Sequence, residues 1–277
     1  MNSHGKSPIN ALLTACKTIA APLRGTPLHR LWLSQFRPRI EWKRNRRELR
    51  AWSESDAAWK VFFAEFVRPG DLVFDVGANL GFRSKIFLAM EAKVVAMEPQ
   101  ESCVNFLRAT LGSRNDFHLI AKAAGPAAGR TTMRVSGSHP ISSLSPEWLE
   151  AVKKSGRFQQ AEWDREQEVE ITTLQDVMAE FGTPAFVKID VEGFEAEVLA
   201  GLSAPIPALS VEFTPEHPAT VEKCARLLAK LGDYECRPCF GDRPVWRAER
   251  WMSFEELAPQ LAAMSGIDYA DIYFRLK

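Results

Sequence analysis

From residue 71 onward, short apolar segments alternate with longer segments of helical pattern. The predicted strands are "LVFDVG" (72–77), "KVVAMEP" (93–99), "FHLIAKAAG" (117–125), "AFVKIDVEG" (185–193), "ALSVEF" (208–213), "YECRPCF" and "DIYFRLK". The predicted helices are "FRSKIFLAME" (82–91), "QESCVNFLRATLG" (100–112), "TVEKCARLLAKLG" (220–232) and one that starts at "SFEEL" (253–257). Strands that alternate with helices predict an α/β fold with a mostly parallel sheet and helices on both faces. The nearly unbroken apolar strands agree, since such strands are buried on both sides.

The chain is expected to divide at about residue 70, where Pro69-Gly70 breaks a helical pattern. Residues 1–69 form a basic, aromatic-rich helical extension, and residues 70–277 form the larger domain. Aromatic residues of the extension fall at helical spacing, and we expect them to pack on that domain: Trp52, Trp59, Phe62, Phe63 and Phe66. Residues 126–168 are too long for an ordinary connection and predict an insertion over the edge of the sheet, which could act as a lid. After "SGSHPISSLSPEW", the last part of this insertion is charged and is expected to be helical.

Charge is unevenly distributed, although the chain as a whole is neutral with 35 basic and 35 acidic residues. Residues 1–50 hold eleven Lys or Arg and two acids, so this segment carries a net charge of +9 and the remainder −9. Such a segment is typical either of a solvated basic helix that packs on the acidic domain or of peripheral contact with an anionic membrane. The remainder of the chain has no basic stripe, which argues against a nucleic-acid partner.

The five cysteines are widely spaced and odd in number, so they do not indicate a disulfide framework: Cys16, Cys103, Cys224, Cys236 and Cys239. The lone "CRPC" at 236–239 lacks the second ligand pair of a zinc site. No run of 18 apolar residues occurs. These features favour a reduced, cytoplasmic protein, with membrane-peripheral docking or an organelle transit peptide as alternatives for the N-terminal segment.

The stretch "DVGANLG" lies where the first predicted strand ends and a helix begins. In open α/β sheets, ligands bind at the carboxyl ends of the strands. Gly77 and Gly81 let the backbone turn tightly and approach a ligand closely. The helix that follows offers free N–H groups. The stretch therefore predicts a nucleotide-cofactor loop; the alternative is a turn with a capping acid and no ligand.

The loop's composition selects among cofactors. It matches neither the G-x-G-x-x-G pattern of dinucleotide loops nor the phosphate loop G-x-x-x-x-G-K-[ST]. Asp75 precedes the first glycine by two residues, and an acid there would repel pyrophosphate but attract a sulfonium. Glu98, which ends the second strand, can accept hydrogen bonds from both ribose hydroxyls. These charges favour S-adenosylmethionine.

Together the motifs resemble a known family. "FDVGANLGFRS", "VVAMEP", "FVKIDVEGFEAEVLAGL" and "SVEF", in this order and spacing, resemble the FkbM-type family of S-adenosylmethionine-dependent methyltransferases over roughly residues 70 to 215. The resemblance implies the class I methyltransferase sheet of seven strands with the last strand antiparallel. It also implies O-methylation, often of sugar or polyketide hydroxyls. The loop residues implied to hold the cofactor are Asp75, Gly77, Ala78, Asn79 and Gly81, with Glu98 on the ribose.

Acidic residues follow the later strands and are candidates for the chemistry. Transfer of a methyl group to a hydroxyl requires removal of a proton, so a base or a metal ion helps. Asp190 and Glu192 follow a buried strand and are expected to point the same way, and Glu212 ends the next strand. We expect all three to be catalytic, with Asp190 also touching the cofactor; they could share base and orienting roles or bind a divalent ion, and no metal ligand is assigned. Glu195 and Glu197 are expected on a solvated helix face.

Five further residues carry weaker expectations. Lys188 lies inside an apolar strand and needs a partner, for which Glu212 is a candidate; the alternative is an edge position with the amine in water. His139, in the insertion, is a candidate base, although a loop histidine is usually just solvated. Ser142 and Ser143 lie in the same insertion, where the acceptor would enter, and His217 is a more distant candidate.

The favoured function is methylation of a hydroxyl on a small molecule, sugar or glycan. Two alternatives stay open: an N-methyltransferase, and a binding module that keeps the cofactor fold without catalysis. The Asn/Asp-Pro-Pro-aromatic motif usual in amino-group methyltransferases is absent at "KIDVEG" (188–193), and the intact loop with Glu98 and Asp190 favours an active enzyme.

Overall fold

The computed structural model describes residues 37–136, 142–155, 163–241, 243–264 and 269–277. Its helices are α1 (Arg37–Arg50), α2 (Glu54–Phe63), α3 (Phe82–Ala89), α4 (Glu101–Thr110), α5 (Pro146–Ser155), α6 (Leu174–Phe181), α7 (Glu195–Ala200), α8 (Ala219–Leu231) and α9 (Phe254–Ala262). Its strands are β1 (Leu72–Val76), β2 (Lys93–Met97), β3 (Phe117–Ile120), β4 (Ala123–Ala124), β5 (Gly129–Val135), β6 (Ser142–Ser143), β7 (Arg165–Thr172), β8 (Phe186–Ile189), β9 (Ala208–Phe213), β10 (Tyr234–Phe240) and β11 (Ala270–Leu276).

The main sheet has the strand order β10-β11-β9-β8-β1-β2-β3. The pairs β1–β2, β2–β3, β1–β8 and β8–β9 are parallel, whereas β11 is antiparallel to both of its neighbours. This confirms the predicted mostly parallel α/β sheet and the antiparallel last strand. The central strands β1 and β8 are buried along almost their whole length, as their apolar sequences predict.

A second, smaller sheet has the order β4-β7-β5-β6, and its strands β5, β6 and the first half of β7 come from the predicted insertion. The single strand predicted over residues 117–125 is wrong: β3 belongs to the main sheet and β4 to the second sheet. The charged segment expected to be helical is a helix only in α5, and its last part is β7, whose side chains alternate between solvent and the sheet interior.

The chain separates into two compact units, residues 1–52 and 53–277. The division lies before α2 rather than at residue 70, because the aromatic side chains of residues 59–66 pack on the main sheet. Phe62 contacts Tyr273 with ring centroids 5.2 Å apart, and Phe66 stacks on Phe186 at 5.1 Å. This confirms the expected packing on the larger domain for the aromatic residues of α2 and for Phe66, whereas Trp52, also expected to pack there, is 48% exposed.

Helix α1, in the first unit, carries seven arginine or lysine residues and two glutamates. Within it, the Arg46 guanidinium lies 5.3 Å from the ring centroid of Trp42, and Arg44 pairs with Glu48 one turn further on. Across the described part of the chain, no helix combines the length and apolar character that a membrane span requires.

Candidate active site

The loop between β1 and α3 is built on left-handed backbone conformations. Gly77, Asn79 and Gly81 have φ angles of 79°, 51° and 78°. The N–H groups of Gly77 and Ala78 both donate to the carbonyl of Met97, at 2.9 and 3.1 Å, which ties the loop to the end of β2. A Cβ on Gly77 would lie 1.9 Å from the carbonyl oxygen of Asp190. Position 77 therefore requires glycine for both its φ angle and its surroundings.

Glu98 lies beside this loop, with 6% of its surface exposed. Its Oε2 accepts a hydrogen bond from the Asn79 N–H at 2.8 Å, and its Oε1 accepts one from the Gln100 N–H at 2.7 Å. Burial raises the pKa of this carboxyl group to about 7, although the two backbone donors oppose the shift. Each carboxylate oxygen can accept a second hydrogen bond, so the fixed carboxylate still has acceptor capacity for a ligand.

Asp75 lies beneath the loop, with only 1% of its surface exposed. The Ser84 hydroxyl of α3 donates to its Oδ2 at 2.6 Å, while its Oδ1 has no hydrogen-bond partner among the described residues. Burial raises the pKa of Asp75, and the Lys188 charge opposes that shift. The carboxyl group thus joins β1 to α3 from within the protein.

Lys188 and Asp190 form an ion pair at the end of β8, with Nζ 2.7 Å from Oδ2. The partner of Lys188 is therefore Asp190 rather than the expected Glu212, because residues two apart on a strand share a face. Lys188 is 7% and Asp190 34% exposed at the side chain, which places the charged end of the pair toward the cavity. Burial alone would lower the pKa of Lys188. The carboxylates of Asp190, Asp75 and Asp271 outweigh this effect, so the pKa of the ammonium group is raised.

Asp190, Glu192 and Glu212 converge as the sequence predicted, with carboxylate oxygens within 4.8 Å of one another. Burial, followed by the negative charges of Glu192 and Asp190, raises the pKa of Glu212 well above its usual range. The shift keeps this group protonated over a wider pH range and makes its ionised form a stronger base, so Glu212 can accept a proton from a bound hydroxyl group only where it is ionised.

Glu195 is buried, with 1% of its surface exposed, so the expectation of a solvated position is wrong. Its Oε1 accepts hydrogen bonds from the N–H groups of Val191 at 3.0 Å and Gly193 at 3.2 Å, which fixes the turn after β8. Burial raises its pKa to about 7. Glu197, two residues further on, is half-buried.

A cavity lies between the carboxyl ends of β1, β2 and β8 and the second sheet. Five of the sequence-predicted site residues line it: Gly77, Asn79, Glu98, Asp190 and Glu192. Four other predicted site residues do not line the cavity: Asp75, Ala78, Gly81 and Glu212. Other parts of the wall are formed by residues that the sequence analysis had not assigned. They come from the β2–α4 connection (Pro99, Gln100), from the second sheet and the residue after β6 (Ala123, Ala124, Met133, Leu144) and from the β8–α7 turn (Val191, Phe194).

Of the two candidate histidines, only His217 falls within the described residues, and it does not line the cavity. His139 lies outside the described residues. His217, at the start of α8, has its Nδ1 against the hydroxyl of Thr220, and burial lowers its pKa. Cys236 and Cys239 are buried on β10, where the Cys239 thiol contacts the carbonyl of Arg243 at 3.1 Å.

The strand order, the antiparallel β11 and the glycine loop after β1 define the fold as that of the class I methyltransferases. The family model for the methyltransferase FkbM domain matches residues 75–237. The chain therefore belongs to the FkbM methyltransferase family, as its motifs predicted.

Among curated proteins, the chain is similar to the 31-O-demethyl-FK506 methyltransferase FkbM of Streptomyces tacrolimicus, with 34% identity over 161 residues. The match covers 49% of this chain and 61% of that protein, so the chain spans less than two thirds of its relative's length.

Two solved structures are also similar. A precorrin-6y C5,15-methyltransferase from Geobacter metallireducens matches with a TM-score of 0.37 and 13% identity, over 78% of this chain and 85% of that one. An rRNA methylase from Streptococcus thermophilus matches with a TM-score of 0.38 and 12% identity, over 82% and 99%.

Proposed function

We propose that this methyltransferase uses S-adenosylmethionine and transfers the methyl group to a hydroxyl oxygen. The observation that supports S-adenosylmethionine as the cofactor is the fixed carboxylate of Glu98 beside the glycine loop. Two backbone N–H groups hold it in place, and it borders the cavity. A carboxylate fixed in this way suits a pair of ribose hydroxyls, because it is oriented before the ligand arrives.

The residues around the cavity suit an adenosyl group that carries a sulfonium rather than phosphates. Glu98, Asp190 and Glu192 contribute acids, with Lys122 as a lining cation. Anionic walls disfavour pyrophosphate and favour a cation. Gly77, Asn79 and Glu98 would hold the cofactor, with Asp190 near its charged end. When bound, S-adenosylmethionine supplies a methyl group activated for displacement by its sulfonium.

The remaining task of the chain is to bind the acceptor and to receive its proton. Asp190, Glu192 and Glu212 supply converging carboxylates for this purpose. The proton of the acceptor hydroxyl would pass to one of these carboxylates as the oxygen attacks, while the paired Lys188 keeps Asp190 in place. The Streptomyces relative is a 31-O-demethyl-FK506 methyltransferase, which supports an oxygen acceptor on a hydroxylated small molecule.

Ligand-dependent stabilisation tests the cofactor. We expect S-adenosylmethionine and its demethylated product to raise the melting temperature of the full chain, whereas NAD and ATP at equal concentration leave it unchanged. A ligand at one hundred times its Kd adds about 2.7 kcal/mol of stability, which is readily measured. Stabilisation by NAD or ATP without stabilisation by S-adenosylmethionine would overturn the assignment.

Matched acceptors test the atom that is methylated. Pairs of sugars and polyketide-like alcohols that differ only by hydroxyl against amino would be incubated with methyl-labelled S-adenosylmethionine. Label on the hydroxyl member, lost in Asp190→Asn, is the expected result. Label confined to the amino members would contradict O-methylation.

A further inference from the structure

Two adjacent serines of the second sheet contact two different residues of the cavity wall, Gln100 and Glu192. The two serines form the whole of β6, which pairs antiparallel with β5. Successive side chains of a strand point to opposite sides. The Ser142 hydroxyl donates to Oε1 of Gln100 at 2.8 Å, and the Ser143 hydroxyl donates to the carbonyl oxygen of Glu192 at 2.7 Å.

The Ser142 contact reaches the cofactor side of the site. Gln100 is buried, and its backbone N–H is one of the two donors that fix Glu98. Its side-chain amide also donates to the Ser102 hydroxyl at 2.9 Å, so both the nitrogen and the oxygen of the Gln100 amide are hydrogen-bonded. Ser142 therefore constrains the residue that orients the proposed ribose-binding carboxylate.

The Ser143 contact reaches the acceptor side. Glu192 has a φ angle of 56°, a left-handed conformation that costs energy in a residue with a Cβ and persists only where its surroundings enforce it. Ser143 is 2% exposed, so its bond to the Glu192 carbonyl is shielded from water. The next residue, Gly193, lies against the ring of Trp148, where a Cβ would come within 2.5 Å. The second sheet and α5 thus hold the turn that presents Asp190 and Glu192.

We propose that Ser142 and Ser143 are positioning residues that set the two halves of the site against each other, Ser142 through Gln100 and Ser143 through Glu192. The assignment of the halves to cofactor and acceptor rests on the proposed function. The contacts themselves do not, because they join residues 142–143 to residues 100 and 192 whatever the ligand is.

Hydrogen exchange and cofactor binding separate the two roles. Ser143→Ala removes the bond to the Glu192 carbonyl and also the acceptor of the Ser145 N–H. In this variant we expect the amides of residues 190–195 to exchange about tenfold faster, while the amides of β1 are unchanged. In Ser142→Ala we expect those amides to exchange as in the wild type and the Kd for S-adenosylmethionine to rise about three- to tenfold. Ser155→Ala, which removes a hydroxyl bonded to the Val152 carbonyl within α5, is the matched control and should alter neither.

Two results would overturn the proposal. One is exchange in residues 190–195 that stays at the wild-type rate in Ser143→Ala. The other is equal acceleration throughout the chain, β1 included, which would indicate a general loss of stability. A wild-type chain that fails to bind S-adenosylmethionine would refute the proposed function but not the Ser143 inference, since the exchange measurement requires no ligand.

Discussion

The backbone N–H of Asn79 donates a 2.8 Å hydrogen bond to the carboxylate of Glu98. The bond joins the loop after β1 to the end of β2, and Asn79 takes a left-handed conformation to make it. Both groups border the cavity, so the same contact shapes the loop and orients the acid. A carboxylate held by the protein's own donors needs less ordering by a ligand, which reduces the entropy that binding must overcome.

Gly77→Ala should destabilise the protein by at least about 2 kcal/mol more than Gly70→Ala. Both glycines have similar positive φ angles, 79° and 85°, so the backbone strain of about 1–2 kcal/mol is common to both variants. At Gly77 the new Cβ would collide with a backbone oxygen. At Gly70 no atom of the described residues lies within 4 Å of the new Cβ. Urea denaturation measures both. Equal losses would show that the Asp190 carbonyl moves away without cost.

The contribution of Glu195 to stability should fall as pH rises from about 4.5 to about 7. A carboxyl group whose pKa is about 7 when folded and 4.5 when unfolded is protonated in the folded state and ionised in the unfolded state between these values. Stability is then full below pH 4.5 and is lost up to about pH 7, by roughly 3 kcal/mol for that shift.

Glu195→Gln tests this directly, because the amide oxygen can still accept the N–H groups of Val191 and Gly193 but cannot ionise. The difference in free energy of unfolding between pH 5 and pH 8 should be smaller in the variant than in the wild type. Glu98, with a pKa also raised to about 7, adds a fall of the same sign that the variant retains. An identical pH dependence in the two proteins would count against the burial of an ionisable Glu195.

Lys188→Ala should cost about 3 kcal/mol, since it leaves the buried Asp75 and the adjacent Asp190 without their cation. The exposed pair of Arg226 and Glu222 on α8 offers a control, and Arg226→Ala should change stability by less than about 1 kcal/mol. Adding Asp190→Asn to Lys188→Ala should recover part of the loss. Strict additivity of the two substitutions would mean that the pair is not coupled.

Phe62→Ala should destabilise the unit of residues 53–277 by about 3–5 kcal/mol. Phe62 contacts Trp246 at a centroid distance of 4.5 Å and Tyr273 at 5.2 Å, joining α2 to the main sheet. Its neighbour Val61 is 77% exposed, so Val61→Ala should stay within about 0.5 kcal/mol of the wild type. Thermal unfolding of both variants measures the difference. A small effect at Phe62 would contradict the inclusion of α2 in this unit.

Much of the fold could be predicted because each central strand is a short apolar run between helices of clear pattern. The loop after β1 was recognisable from its glycines, and the convergence of Asp190, Glu192 and Glu212 followed from the positions of their strands. The split of residues 117–125 between two sheets was missed because the apolar run continues through the change of direction. Strand β7 was missed because its alternating charges resemble a solvated helix.

The errors inside the site have a common cause, which is that burial depends on distant segments. Glu195 begins a short helix and carries a charge, and local sequence places such a residue in water. Its hydrogen bonds are local, to the turn after β8, but α8, more than twenty residues further along the chain, packs against α7 and contributes packing that local sequence does not specify. The cavity wall on the side of the second sheet was likewise not predicted, since Met133 and Leu144 belong to no recognisable motif.

Calorimetric titration with S-adenosylmethionine tests the central claim most directly, on the wild-type chain, Glu98→Ala and Glu101→Ala. The wild type should bind, and Glu98→Ala should bind more than tenfold more weakly, because a charge-assisted hydrogen bond contributes about 1.5–3 kcal/mol. Glu101, exposed on the next turn, should be replaceable without effect. A folded wild-type protein that does not bind, or a Glu98→Ala variant that binds as tightly as the wild type, would contradict the account.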